Sequence, residues 1–574
     1  MHTHEQSPES AGFAPVPAHQ RIEALDTVRG FALIGICLMN IEFFNRPLAT
    51  LGHGMPAGLV GIDWLASFCV AYFVEGKFWT IFSLLFGMGF AVMLTRAENA
   101  GRSFLKPCLR RIAALAVFGA LHHIFLFAGD ILFSYAVAAV FLLVVLYGTW
   151  KWLLAALAGT AGLALLPGLG QAAGAAAATL VLSGLIALYL KLPRNEKHPL
   201  TLPVLSRIWL MLLIAGALGA LVAAAMWMLK LDPAEAYLPV SAGSAILLLV
   251  SLVAFLANKY RNPVEARAWR AGAATYLLLT TLATIGGAVD YLTPPEPLQP
   301  ATAKADPNQS SSKATLLEKK PTEAEKNAER AAERARRTKE RAEETAIEAR
   351  IMRSGSYRQH VALRARHFVK RLPDQSGFAH LLLGMFLLGA WLVRSGAMQP
   401  SSAHRPLLRK LAGIGLPVGI GMGLLGSLIA TTDVPGAQHN GFDFASGLLM
   451  MGNLPACLGY VSMIVLMLHS RSPFANVGVL APFGRMALTN YLCQSLLMSS
   501  IFFGYGLDYW GMGRAAQMLV ALALCGVQIA CSHWWLARFR YGPAEWLWRA
   551  MTYLQLPAMR IAAAGARLQA RPDP

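Results

Sequence analysis

Apolar positions along this chain run in unbroken blocks of about twenty residues, long enough for a helix to cross ~30 Å of hydrocarbon. Short polar loops separate the blocks, and no strand-like alternation interrupts them. They fall near residues 30–47, 66–94, 112–128, 131–149, 152–168, 172–191, 207–229, 240–257, 272–292, 378–394, 411–430, 444–469, 486–504 and 514–536. The pattern predicts an all-α, polytopic transmembrane bundle of about fourteen spans. The first twenty residues lack the apolar core of a cleavable signal, so the first block is expected to act as the membrane signal and to leave the amino terminus in the cytoplasm.

Composition agrees with lipid as the solvent. Hydrophobic residues make up 56% of the 574 and charged residues 14%, against roughly 25% charged in soluble domains. The balance of 50 Lys+Arg to 31 Asp+Glu gives a net charge of +19. Its basic residues gather in alternate short loops: Arg96, Arg102, Lys106, Arg110 and Arg111, then Lys191, Arg194 and Lys197, Lys259 to Arg270, Arg394 to Lys410, and Arg538 to Arg549. This is the distribution of cytoplasmic loops, not of a nucleic-acid footprint. Both termini are expected inside a bacterial inner membrane. Seven cysteines without CxxC spacing argue against a disulfide framework and against a zinc site.

Two segments differ in kind. From 294 to 374 the apolar signal vanishes, and Glu323 to Arg350 alternates alanine with both charge signs, including Glu333/Arg337 and Arg336/Glu340. That spacing predicts a solvated helix in a long loop, an exposed spacer flanked by disorder. Near the carboxy terminus, Gly542-Pro543 opens a run with Trp546, Trp548 and Arg549, read as an amphipathic helix on the cytoplasmic surface. The organisation is then a 1–20 tail, a 21–150 membrane core, a 151–293 inserted membrane region, the 294–374 loop, a 375–553 membrane domain and a basic 554–574 tail.

Ionisable residues at membrane depth are the candidates for chemistry. Asp26 and Arg29 open the first span, either as a helix-end pair or as part of a site, and that run ends in Asn40. Glu75-Gly76-Lys77 interrupts the second apolar block, as a kink cap or a functional pair. His122 and His123 lie about halfway through the third span, ahead of Asp130 at its expected outer end, where an imidazole can serve as a general base or merely bond a neighbouring helix. His53 and Asp63 fall in the first outer loop. Arg485, Asn490 and Gln494 share one helical face, where polar residues also act as helix-to-helix glue.

Several of these motifs resemble a family. Leu25-Asp26-Thr27-Val28-Arg29-Gly30 with Met39-Asn40, Lys77-Phe78 followed by Leu84-Leu85-Phe86-Gly87, His122 followed by Gly129-Asp130, Gly484-Arg485-Met486-Ala487-Leu488-Thr489-Asn490, and the Gly542 to Arg549 run are similar to the YeiB-type bacterial inner-membrane proteins, with their carboxy-terminal domain of unknown function. The resemblance covers about residues 20–150 and 375–553. About four extra helices in 170–290 look like an insertion. The first helix is also similar to that of the membrane acyltransferase superfamily. In its O-acyltransferase branch a histidine stands where this chain has Asn40. The branch that includes heparan-alpha-glucosaminide N-acetyltransferase carries Asn there, and a loop resembling His53, Gly58-Leu59 and Asp63.

The resemblance implies acyl transfer. Acyl-CoA, a co-substrate and not a resident cofactor, would bind from the cytoplasm with its phosphates on Arg29 and loop arginines. Asp26, Glu75, Lys77, Arg485 and Asn490 would complete the binding residues. His53 or His122, with Asp130, would act as base on an envelope glycan or lipid acceptor, and Asn40 would orient the acceptor or donate to the oxyanion. Two alternatives stay open: a transporter or flippase for an envelope-related or hydrophobic solute, and a non-catalytic membrane scaffold.

Overall fold

The computed structural model describes residues 22–166, 168–192, 203–228, 234–293, 323–399, 402–434 and 439–561. The 1–20 tail, the polar first part of the long loop (294–322) and most of the basic tail (from 562) lie outside them. Twenty α-helices follow in order. The amino-terminal group is α1 (Glu23–Asn40), α2 (Gly61–Cys69), α3 (Lys77–Asn99), α4 (Leu105–Phe125) and α5 (Leu132–Tyr147). Then come α6 (Trp150–Ala164), α7 (Gly170–Lys191), α8 (Pro203–Met228), α9 (Ala234–Lys259) and α10 (Arg267–Leu292). The loop contributes α11 (Glu323–Ser354) and α12 (Tyr357–Arg371). The carboxy-terminal group is α13 (Gln375–Arg394), α14 (Arg405–Lys410), α15 (Leu416–Ser427), α16 (Phe442–Leu468), α17 (Ala481–Arg485), α18 (Ala487–Phe502), α19 (Arg514–Leu536) and α20 (Pro543–Tyr553).

Among the described residues ten helical segments are long and apolar enough to cross a membrane. Of the four other expected spans, α5 and α18 have 16 residues and α6 has 15, while α9 has 26 but its apolar stretch is the shorter Gly243–Lys259. Sixteen residues rise about 24 Å, short of the ~30 Å core. The protein is a membrane protein, and many of its large apolar side chains point outward, among them Leu218, Leu221, Leu282 and Val289. In lipid such exposure carries no penalty, because hydrocarbon is their solvent.

The second apolar block is not one helix. The backbone passes from α2 through a π turn at Val70–Val74 and breaks at Gly76, whose φ is +79°. A side chain there would also meet the Asn453 amide at 2.2 Å, so only glycine fits.

The core packs α3 on α13, α10 on α13 and α16, and α15 on α16, while α8 and α9 pack chiefly on each other. Part of the inserted region is therefore peripheral. The contact that shapes the site joins α1 to α17. A Cβ on Gly484 would lie 1.9 Å from the Asp26 carbonyl oxygen, and one on Gly30 would lie 2.2 Å from that of Leu480. The two backbones touch, as at small-residue crossings in lipid, and the residues beside the glycines, Arg29 and Arg485, are drawn to one place.

The long loop is not merely a spacer. Most of α11 is exposed, but its last turns dock: the buried Glu348 carboxylate accepts hydrogen bonds from the Leu48 and Ala49 N–H groups, each at 3.0 Å. The second helix, α12, lies against α4.

Substituting Gly484→Ala is expected to lower the thermal midpoint of the detergent-solubilised protein, since the new methyl meets backbone that cannot yield; overpacking costs typically ~1–3 kcal/mol. Gly526→Ala, at a site with nothing within 4 Å of the added carbon, should leave the midpoint unchanged or raise it.

Candidate functional site

A cavity of about 730 Å³ opens among α1, α3, α4, α5, α17, α18 and α20. One end carries six arginines: Arg29 and Arg485 from the glycine crossing, Arg96 and Arg102 from the end of α3 and the loop after it, Arg111 from α4 and Arg549 from α20. Of the residues lining the cavity Glu545 is the only acid. Arg29 also holds Asp26 at 2.7 Å. Further along, the walls turn apolar with Phe82, Leu85, Phe86, Phe90, Leu115 and Leu132, and the far end is set by Tyr135 and Tyr491. Charge at one end and hydrocarbon along the length are the complement of an anionic head on an acyl chain.

The floor is α20, which packs on α4 and α18 rather than resting only on lipid. The Trp548 indole N–H donates to the Arg111 carbonyl at 3.1 Å, and the Arg111 guanidinium stacks 4.0 Å from the same ring. Glu545 accepts from the Leu488 and Thr489 N–H groups at 2.7 and 3.2 Å, capping the start of α18. Burial raises its carboxyl above the usual range, and those hydrogen bonds pull it back.

Behind the apolar end lies a hydrogen-bonded relay. His122 Nδ1 is 2.8 Å from Asp130 Oδ1, and His122 Nε2 is 2.8 Å from the Ser495 hydroxyl. The His122 and Asp130 side chains are fully buried. Asp130 Oδ2 accepts the Phe133 N–H at 3.0 Å, which fixes the carboxylate at the start of α5. An ionised carboxylate can only accept, so the imidazole proton sits on Nδ1 and the Nε2 lone pair receives the Ser495 O–H. The Tyr491 ring, 4.7 Å from the imidazole, separates this relay from the cavity that it also lines.

The remaining candidates lie elsewhere. The His53 ring pairs with Asp433 at 2.7 Å on a half-exposed loop, away from the cavity. Asp63 accepts the Ala515 N–H at 2.8 Å and caps α19. Asn40 is buried at the end of α1 and enters neither the cavity wall nor the relay. The amide of Asn490 donates to Phe483 O and Ser532 Oγ, at 3.2 and 3.0 Å, so it binds helices together rather than facing a ligand. Glu75 and Lys77 flank the helix break. Lys77 is fully buried there, and its Nζ has no hydrogen-bond partner among the described residues. A charge network that sequence reasoning missed is centred on Glu42, which holds Arg46 at 2.5 Å and Arg514 at 2.8 Å. No group of His, Cys, Asp and Glu among the described residues has the makings of a metal site.

Residues 392–555 match the family model described as a protein of unknown function, DUF418. The chain is 26% identical over 546 residues to the uncharacterized protein YxaH of Bacillus subtilis, covering 94% of this chain and 96% of YxaH. It is 33% identical over 178 residues to the uncharacterized protein YeiB of Escherichia coli, covering 30% of this chain and 44% of YeiB. These matches make the chain similar to YeiB-type proteins. No solved structure matches it significantly.

In this chain the segment that matches DUF418 supplies Arg485, Tyr491, Ser495, Glu545 and Arg549, and the amino-terminal region supplies Arg29, Arg96, Arg102, Arg111, His122 and Asp130. Of the expected site residues, the structure therefore unites Asp26, Arg29 and Arg485 at one end and His122 with Asp130 at the other. It adds Ser495 and Tyr491, and it specifies the loop and helix-end arginines as Arg96, Arg102, Arg111 and Arg549. The loop arginines were expected as phosphate ligands only as a class, without their individual positions. Ser495 gave one signal, its position a helical turn beyond Tyr491 on a face that also carries polar side chains.

The far side of the relay is covered by α12. Arg364 and Tyr357 donate to the Phe125 carbonyl at 2.8 and 3.1 Å, satisfying the end of α4. His360 packs 4.8 Å from Phe503, and burial, aided by Arg364, lowers its pKa to about 4. Burial lowers that of His367 as well. Both imidazoles are neutral when α12 is docked, while an undocked segment takes up protons below about 6.5. Docking is therefore fully favoured above pH 6.5 and weakens as pH falls from there towards 4. Hydrogen exchange of residues 357–371 is expected to speed up over that window, and His360→Phe should flatten the response.

Proposed function

We propose that this protein is a membrane acyltransferase that takes its acyl group from a cytoplasmic acyl-CoA and passes it to an envelope glycan or lipid. The observation that carries the reading is a cavity with six arginines at one end and an apolar length that stops at Tyr491, whose ring has the buried His122–Asp130 pair directly behind it. Guanidinium groups bind phosphates bidentately, and the phosphate-bearing half of coenzyme A matches that end. The volume falls in the ~300–1,000 Å³ range of small-molecule sites. The arginine end faces the cytoplasm by the charge bias of its loops, which places the donor inside and the relay towards the outer leaflet. There His122, its Nδ1–H held by Asp130, acts as general base. The resemblance of the Leu25-Asp26-Thr27-Val28-Arg29-Gly30 motif to the opening of the first span in membrane acyltransferases favours the same chemistry. His53 and Asn40 have no part in this version of the mechanism.

Transport is a second reading, favoured by the broken second block with Lys77 buried beside it, since interrupted helices line substrate paths in many transporters.

The test uses full-length protein in detergent with coenzyme A and acetyl-CoA. Wild type is expected to bind both. Arg485→Ala should weaken binding ~10- to 100-fold, as for the loss of a charge-assisted hydrogen bond, whereas His122→Ala should bind normally and fail to turn over. Absence of binding by the wild type would overturn acyl transfer. Loss of solute movement in Lys77→Met vesicles, with no effect of coenzyme A, would favour transport.

A further inference from the structure

We infer that Ser495 is a nucleophile, and that the acyl group crosses the membrane as an ester on its hydroxyl. The inference rests on the acyl-transfer reading and adds a covalent step to it. Serines inside membrane helices ordinarily donate back to a carbonyl one turn earlier. Ser499 and Ser500 on the same helix do so, both to Leu496 O at 2.9 Å. Ser495 is buried and does otherwise: its hydroxyl meets the imidazole of His122, contributed from 373 positions away, at 2.8 Å. With Asp130 behind the ring, the three side chains have the order and contacts of a serine, histidine and acid triad. Such an arrangement is recognised by geometry and not by chain order, and it activates a hydroxyl that is otherwise a poor nucleophile.

Tyr491 supplies the second half of the argument. It stands one turn before Ser495, lines the cavity, and its buried hydroxyl proton has no acceptor among the described residues. A donor waiting at the apolar end of the cavity is what a developing oxyanion needs. The Tyr491 ring also partitions cavity from imidazole, so the thioester reaches Ser495 past this side chain.

The step balances without any further reactant. The Ser495 oxygen attacks the thioester carbonyl carbon while its proton passes to His122 Nε2. The C–S bond then breaks, the thiolate of coenzyme A takes that proton, and an O-acyl serine remains. In the second half an acceptor hydroxyl or amine gives its proton to Nε2 and attacks the ester. The serine oxygen leaves as the alkoxide and recovers the proton, which restores the starting state.

An exchange experiment tests this without knowing the acceptor. Full-length protein in detergent is incubated with acetyl-CoA and labelled coenzyme A. A covalent intermediate passes label into acetyl-CoA with no acceptor present, whereas direct transfer in a ternary complex does not. Wild type is expected to exchange, and Ser495→Ala to lose exchange by at least ~10³-fold, in the range seen for triad members, while binding coenzyme A as before. Tyr491→Phe should lower the exchange rate ~10²- to 10³-fold, as for one oxyanion donor, with little change in KM. Ser495→Cys should trap the acyl group as a thioester that neutral hydroxylamine releases. Wild-type protein that binds acetyl-CoA but shows no exchange, or a Ser495→Ala variant that exchanges normally, would overturn the inference and leave acyl transfer standing. Wild type that binds no coenzyme A would remove both.

Discussion

The crossing of α1 over α17 is the joint on which the cavity depends. Lipid offers helices no hydrophobic reason to associate, so they hold together by close contact and by polar groups that have nowhere else to go. At Gly30 and Gly484 the contact is backbone against backbone. Each glycine is followed or preceded in sequence by an arginine, so two guanidinium groups arrive at the same depth from opposite ends of the chain. The remaining arginines come from α3, α4 and the loop between them, and from a terminal helix pinned by Trp548.

Gathering six cations around one carboxylate costs free energy at the edge of a low-dielectric layer. Evolution has left them on a concave, partly apolar surface rather than spreading them over the loops. On the proposed reading such a site suits an anion, and the apolar length beyond it suits that anion's tail. The relay behind Tyr491 sits where the tail ends. The buried polar residues that do not join it have their own work: Asn490 with Ser532 and Gln494 with Gln528 tie α18 to α19, and Glu42 neutralises Arg46 and Arg514 near the opposite end.

Block length and hydropathy made the all-α membrane architecture legible, because the bilayer imposes its thickness on every span. Helix lengths depart from the blocks at α6 and α18, which are shorter, and the 66–94 block reads as one run although Gly76 breaks it. Arg29, Arg485, His122 and Asp130 were readable because an ionisable group in lipid needs a reason. Ser495 was not, since a lone serine in a membrane helix is ordinary until its partner is known, and that partner is remote in sequence. The docking of α12 was hidden for a related reason. It attaches through Arg364 and Tyr357 to the carbonyl at the end of α4, a demand created only by the fold, with Phe368 packed against Phe133. His53 looked promising by spacing, yet loop geometry gave it to Asp433.

The cavity wall is divided between the two ends of the chain: the DUF418 segment brings one part and the first five helices the other. During synthesis from the amino terminus, the early helices enter the membrane with an unfinished pocket whose arginines face an open gap. Only when the last described helix, α20, has settled against α4 does the pocket gain its floor. An isolated DUF418 fragment would carry Ser495 and Tyr491 without His122 or Asp130, and would lack the part of the pocket wall that α1, α3, α4 and α5 supply.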